Sequence, residues 1–342
     1  MNKAGEILSI NPPRAIPGGE LSIECVGYNV SRGGDHGCTV GGLRSRVVAA
    51  SSDRVLAVVP AEVAVHEPNL LLESEGEMSN GFQITVGEKL IDEMHIVASP
   101  AIDPKDDSLV VTRSGSRGQS MGTTLFRVEA DGYIDEMPAE VMNPTGIAFD
   151  REGNLFVTNR SDGWVVQIER GEEAMTYAAG LGVATGIAFD RSGTMYVGDR
   201  SGTVHRIPEP GYTETFAVLE PSVAAYHMAF GPDDRLYLTA PALASHDAIH
   251  VIEQDGTVDT YFRGFGRPQG LAFDVDGNLY VAASYQGRQG IVRVSPGAES
   301  AEMFVAGRNI VGLCFTRAGD MVVATNDTAY SLPLGIYGTL LE

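Results

Sequence analysis

Residues 118–122 read GQSMG, the G-x-S-x-G pattern that sets a nucleophilic serine on a sharp turn between a strand and a helix. Ser120 would take that role only with a helix behind it. The segment that follows, TTLFRV, is rich in β-branched and aromatic residues and reads as a strand. The nucleophile elbow is therefore excluded, and Ser120 becomes part of a glycine- and serine-rich loop, TRSGSRGQSMG, a flap over one end of the fold. His227 is the more suggestive residue, a base that Asp199 would orient as its acid partner. His205, His246 and His250 read as ordinary surface or packing residues.

Metal chemistry has weaker support. The stretch DVDGN at 274 opens like a calcium loop, but such a loop needs glycine sixth and glutamate twelfth. Counted from Asp274, Gly277 is fourth and Tyr285 twelfth, so the stretch reads as a turn. No H-x-x-x-H or H-E-x-x-H spacing marks a helical zinc site. Cys25, Cys38 and Cys314 are too few and too scattered for a disulfide framework or a zinc cage. They read as buried free thiols, with a Cys25–Cys38 bridge as the alternative on an exported protein.

The elements that would position these residues are all strands. The chain has 342 residues with 41 glycines and a single tryptophan, a profile of many turns and little extended helix. A net charge of −21 repels phosphate backbones and anionic lipid, which argues against nucleic acid and membrane partners. The start, MNKAGEILSINPP, has no apolar signal region, so the expected location is cytoplasmic, with export only if a signal peptide has been removed.

From residue 100 onward the sequence repeats. GIAFDREGNLFVTN at 146 returns as GIAFDRSGTMYVGD at 186, HMAFGPDDRLYLTA at 227, GLAFDVDGNLYVAA at 270 and GLCFTRAGDMVVAT at 312. The anchors Phe149, Phe189, Phe230, Phe273 and Phe315 stand 40, 41, 43 and 42 residues apart, the period of four-stranded propeller blades. A degenerate copy, PAIDPKDDSLVVTR at 100, makes six. LIDEM at 90 precedes the first inner strand much as YIDEM at 133 precedes the second, so strand 90–94 is expected to complete the last blade and close the ring. Residues 6–87 carry short alternating runs instead, such as LSIECVGY and GFQITVG, the pattern of a sandwich. The expected fold class is all-β, an immunoglobulin-like β-sandwich (1–88) followed by a six-bladed β-propeller (89–342).

Two resemblances sharpen this. ILSINPPRAIPGGELSIECVGYN, CTVGGLRSRVVAASSDRVLAVVPAEV and SNGFQITVG resemble the TIG (IPT) domain, an immunoglobulin-like module that implies a scaffold role. PTGIAFDREGNLFVTN is similar to the NHL repeat and to repeats of the senescence marker protein/gluconolactonase family and of streptogramin lyases. The gluconolactonase resemblance implies a divalent metal held by a glutamate of the first inner strand and by Asn and Asp of P-N-G and P-D-G motifs. Here those places hold Thr145, Thr185, Tyr226, Gln269 and Val311, and VASPAID has no glutamate before Asp103. A hard divalent ion needs several oxygen ligands, so no metal site is assigned; a calcium, magnesium or zinc ion belongs to the gluconolactonase-like reading alone. The lyase resemblance implies seven blades, a catalytic histidine and glutamate-bound magnesium, and Arg160 and Arg200 follow strands ending TN and GD where that family often has T-E.

Inner-strand starts and second-strand ends share one mouth of a propeller. That mouth is expected to gather Arg113, Thr145, Asn159, Arg160, Thr185, Arg200, Tyr226, Gln269, Tyr285 and Asn326 as ligand-binding residues, with Ser284 and Asp327 beside them and His227 with Asp199 as the catalytic candidates. The opposite turns (DPKDD, DREG, DRSG, GPDD, DVDG, TRAG) read as solvated acidic hairpins. The expected function is recognition of a small molecule, saccharide or protein at the mouth. The competing reading is a lactone or ester hydrolase, or a lyase, with a rebuilt site at the same place.

Overall fold

Each repeat supplies two strands that are apolar on both faces, then two that are not. Leu155–Asn159 and Met195–Asp199 are buried at every residue, as strands covered on both sides must be. Farther out, Ile134–Glu136 is exposed throughout and Tyr212–Val218 buries only Ala217. A blade made this way must be covered by its neighbours at the inner strands and can meet water at its rim.

The computed structural model describes residues 5–28, 36–115, 121–138, 141–170, 173–242 and 247–339. Ser120 and His246 lie outside them. Six antiparallel sheets have their innermost strands at Ala101–Ile102, Pro144–Phe149, Ala184–Phe189, His227–Phe230, Leu271–Phe273 and Ile310–Phe315. Within each, successive strands pair in chain order. The sixth sheet takes its outer strand from far upstream: Glu88–Ile91 pairs antiparallel with Ala329–Pro333, Glu88 opposite Ser331. This strand begins two residues before the expected 90–94. Asp92–Met94 lie beyond it because the chain turns away, with Glu93 and His95 at positive φ and Met94 N–H donating to Asp327 O.

The inner strands approach until backbones nearly touch. A Cβ on Gly146 would stand 2.2 Å from Thr185 O, and one on Gly312 would stand 2.4 Å from Ser99 Cα. Gly186 and Gly270 fill the same repeat position under similar contacts. In the fourth blade the position is His227, and the consequence for the site is described below.

Residues 6–83 form two further antiparallel sheets whose inward residues, among them Ile10, Ile23, Val55, Leu70 and Leu72, meet in one core cluster. Cys25 and Cys38 are both buried in that cluster and are not bonded to each other. Desolvation pushes their thiols up to about 11 and about 12, which keeps them protonated and unreactive at neutral pH.

The boundary near residue 88 is not a bare linker. Arg14–Ala15 pairs in parallel with Ala301–Ala306 at the rim of the fifth blade, and Thr85–Val86 pairs in parallel with Arg14–Ala15, extending that blade to six strands. Neighbouring residues exchange cores across the seam: Ile16 is buried in the cluster of the fifth and sixth blades, and Ala306 in the N-terminal cluster. Arg288 Nη2 donates to Asn11 O at 2.6 Å and to Glu20 O at 3.2 Å, and the Arg14 guanidinium lies 4.3 Å from the Phe304 ring centre. Two-residue pairings of this kind carry no periodic signature, so the sequence pattern does not announce them.

The inner-strand packing yields a direct test. Gly312→Ala should destabilise the fold by about 1–3 kcal/mol through overpacking against Ser99. Gly122→Ala, whose Cβ meets nothing within 4 Å, should stay within about 0.5 kcal/mol of the parent. Equal denaturation midpoints for the two variants would contradict the packing argument.

Candidate functional site

Two cavities lie end to end along the propeller axis. One, of about 610 Å³, opens at the mouth formed by inner-strand starts; the other, of about 720 Å³, opens at the turns. Thr145 and His227 line both. His227 therefore stands at the boundary between the cavities, on the strand position where the neighbouring blades keep glycine.

The mouth brings together Thr145, Arg160, Thr185, Arg200, His227, Gln269, Ser284 and Asn326. Arg113, Asn159, Asp199, Tyr226, Tyr285 and Asp327 are not in its lining, and the physical reason is local in each case. Arg113 packs its guanidinium 5.9 Å from the Phe126 ring centre. Asn159 caps its own turn, its Nδ2 donating to Asp162 Oδ2 at 2.8 Å while its Oδ1 accepts from Ser161 N–H. Tyr226 is fully buried, donates its hydroxyl to Glu220 O at 2.8 Å, and has its phenol pushed up to about 12 by desolvation. Tyr285 packs against Phe265. Asp327 accepts from the Thr328 hydroxyl.

The pairing of His227 with Asp199 is corrected by the same logic. Asp199 Oδ1 accepts from Val183 N–H at 2.8 Å and Ser201 N–H at 3.1 Å, and its Oδ2 accepts from the Ser201 hydroxyl. No hydrogen bond or ion pair joins Asp199 to His227 among the described residues. His227 is 7% exposed, and burial alone pushes its imidazole down to about 4, so the ring is neutral at pH 7 with no acid to orient it.

The threonines are committed to holding blades together. Thr145 Oγ1 donates to Ala184 O at 2.9 Å, and Thr185 Oγ1 donates to Gly198 O at 3.0 Å while accepting from Tyr226 N–H. The cationic groups are better placed for a ligand. Arg200 spends one Nη2 contact on Val223 O at 3.1 Å, and its Nε is buried with no hydrogen-bond partner.

Sequence reasoning missed His95, Arg267, Gln289 and Asn309, which also line the mouth. A signal existed for two of them. Arg267 precedes P-Q-G and Asn309 precedes I-V-G, just as Asn143 precedes P-T-G, and all three sit at positive φ, 49°, 55° and 52°. Side chains other than glycine seldom adopt that conformation, and it clusters at functional positions. Asp247 Oδ2 fixes the Arg267 backbone by accepting its N–H at 3.2 Å.

The electrostatic result is sharp. Among the described residues the mouth is lined by three arginines and two histidines and by no aspartate or glutamate, in a chain of net charge −21. A divalent cation does not fit such a donor set, and no cluster of three or more His, Cys, Asp or Glu side chains suited to a metal occurs among the described residues.

Burial of neutral His227 makes a pH prediction. Its folded pKa of about 4 lies below the ordinary 6.5, so between these values the unfolded chain binds the extra proton and stability falls as pH falls. At pH 5 the loss attributable to His227 is about 2 kcal/mol. His205 and His250 shift in the same direction, so the test is a difference: denaturant unfolding at pH 7.5 and pH 5 should show the parent losing about 2 kcal/mol more than His227→Gln. Parallel losses would place His227 in water.

No protein-family model matches the chain, and no curated protein matches it. Solved structures do. A gluconolactonase from Xanthomonas campestris is 17% identical over 85% of this chain and 94% of its own, at a TM-score of 0.59. An auxiliary nutrient binding protein from Bacteroides thetaiotaomicron is 13% identical over 96% of this chain and 98% of its own, at 0.54. A catalytically inactive virginiamycin B lyase from Staphylococcus aureus, with quinupristin, is 14% identical over 96% and 98%, at 0.53. At these identities the likeness concerns the fold: the chain is an all-β protein whose propeller, six-bladed here, is similar to those of gluconolactonases, streptogramin B lyases and Bacteroides nutrient-binding proteins.

Proposed function

We propose that the chain is a ligand-binding propeller whose mouth recognises a small polar molecule carrying negative charge, such as an acidic saccharide. The observation that carries this reading is the mouth lining of Arg160, Arg200, Arg267, His95 and His227 without any carboxylate among the described residues. Charge-assisted hydrogen bonds from arginine to carboxylate are the strong ones, and a cavity of about 610 Å³ is of the size that small molecules occupy. The likeness to nutrient-binding proteins agrees with binding in place of chemistry.

The N-terminal sheets belong to the same proposal as a TIG-type, immunoglobulin-like scaffold. The support is the set of TIG-like landmarks together with two sheets sharing one core. The seam to the fifth blade gives such a module a mechanical role, bracing the rim of the ring.

The competing reading, a hydrolase or lyase at the same mouth, has less behind it. Among the described residues no acid is hydrogen-bonded to His227, and the mouth lining has no carboxylate to hold a divalent ion.

Titration calorimetry with glucuronate, gluconate and glucose tests the proposal. The two anions should bind with glucose about tenfold weaker or worse, and Arg200→Ala should reduce anion affinity about tenfold, the worth of one hydrogen bond to a charged group. Equal affinity for glucose, or an indifferent Arg200→Ala, would refute it. Turnover of a lactone or ester that depends on His227 would favour the enzyme instead.

A further inference from the structure

The turn end of the propeller differs from its expected character as a solvated acidic rim. The capping acid of most of these hairpins is consumed locally. Asp150 Oδ1 accepts from Asn154 N–H at 2.8 Å, Asp190 Oδ1 from Thr194 N–H at 2.9 Å, and Asp274 Oδ1 from Asn278 N–H at 2.8 Å. In the fourth blade, where glycine replaces the first aspartate, Asp233 binds Arg235 and the Tyr237 hydroxyl. In the sixth blade the Thr316 hydroxyl takes over and accepts from Asp320 N–H at 3.0 Å. Asp103 and Asp106 of the first blade engage Arg127 and Arg170. These carboxylates close their own turns, as aspartate does at such positions.

In five of the six blades the residue after the capping group faces the cavity. Arg151, Arg191 and Arg317 come from the second, third and sixth blades at matching turn positions, and all three line the 720 Å³ cavity. Among the described residues Asp234 is the only carboxylate in that lining, and it belongs to Arg191, whose Nε is 3.9 Å from Asp234 Oδ1 and whose Nη2 donates to Pro232 O. The guanidinium groups of Arg151 and Arg317 make no hydrogen bond or ion pair among the described residues. Below this rim the lining includes aliphatic side chains such as Ile147, Ile187, Met228, Leu271 and Leu313, and its surface is about evenly polar and apolar. The segment Leu334–Thr339 crosses the turns of the sixth and fifth blades, with Ile336 N–H donating to Gly319 O and Thr339 N–H to Phe273 O, and Gly338 and Thr339 complete the wall.

We propose that this turn-side cavity is a second binding site, separate from the mouth, for an organic anion with an apolar body. The apolar part would occupy the walls and the anionic group would pair with Arg151 and Arg317. Two uncommitted guanidinium groups above walls that carry these aliphatic side chains match that chemistry. The inference does not depend on what the mouth binds.

Fluorescence titration with anilinonaphthalene sulfonate, followed by displacement with decanoate or decanol, tests it on the full chain. Dye binding should saturate, decanoate should displace it about tenfold more effectively than decanol, and Arg151→Ala combined with Arg317→Ala should weaken decanoate about tenfold. Both arginines are exposed, so the double variant should keep the parent melting curve, which separates lost binding from lost folding. Arg200→Ala at the mouth should leave decanoate binding unchanged. Absence of saturable binding, equal displacement by decanol, indifference to the double substitution, or loss in Arg200→Ala would each overturn the proposal.

Discussion

Everything in this molecule depends on how closely the inner strands approach around the axis. The glycines at 146, 186, 270 and 312 leave backbones in contact, and a side chain at any of them would collide with the next strand. The apolar faces of each blade are then covered by the next, as the separate clusters between neighbouring sheets show. Closing the ring also requires its last blade to be finished by an early strand, Glu88–Ile91, which ties residues far apart in the chain into one sheet.

His227 in the fourth blade, like Ser99 in the first, departs from this pattern, and the imidazole defines the interior. A ring of glycines throughout would leave the axis lined by backbone; the imidazole instead stands at the boundary of two cavities. Its burial makes it neutral at pH 7, so it offers hydrogen bonding and shape without charge. The positive charge at each end comes from arginines, displayed by the strand ends at the mouth and by hairpins at the turns. An acidic protein has thus placed cations at both openings of its axis while its turn aspartates are spent on turn geometry.

The sequence revealed the ring well and the chemistry less well, for a physical reason. Period and pattern belong to strands, so Phe149, Phe189, Phe230, Phe273 and Phe315 marked five blades, and the six repeats matched the six sheets found. Polar residues near turns are ambiguous, because the same Asn or Asp can face a ligand or cap its own loop. Asn159 and Asp199 look like site residues in an alignment of repeats, yet their oxygens accept neighbouring N–H groups. Conversely, Arg151, Arg191 and Arg317 look like solvated hairpin charge, and the cavity beneath them is invisible without the fold. Long-range pairing of very short strands is equally hidden, which is why the join of Arg14–Ala15 to the fifth blade emerges only in three dimensions.

Anion recognition at the mouth is what we propose for this protein, and a crystal structure grown with glucuronate tests it. The sugar should lie in the mouth with its carboxylate within hydrogen-bonding distance of Arg200 or Arg267. A mouth holding water alone at saturating glucuronate, or one holding a divalent cation on protein oxygens, would contradict it.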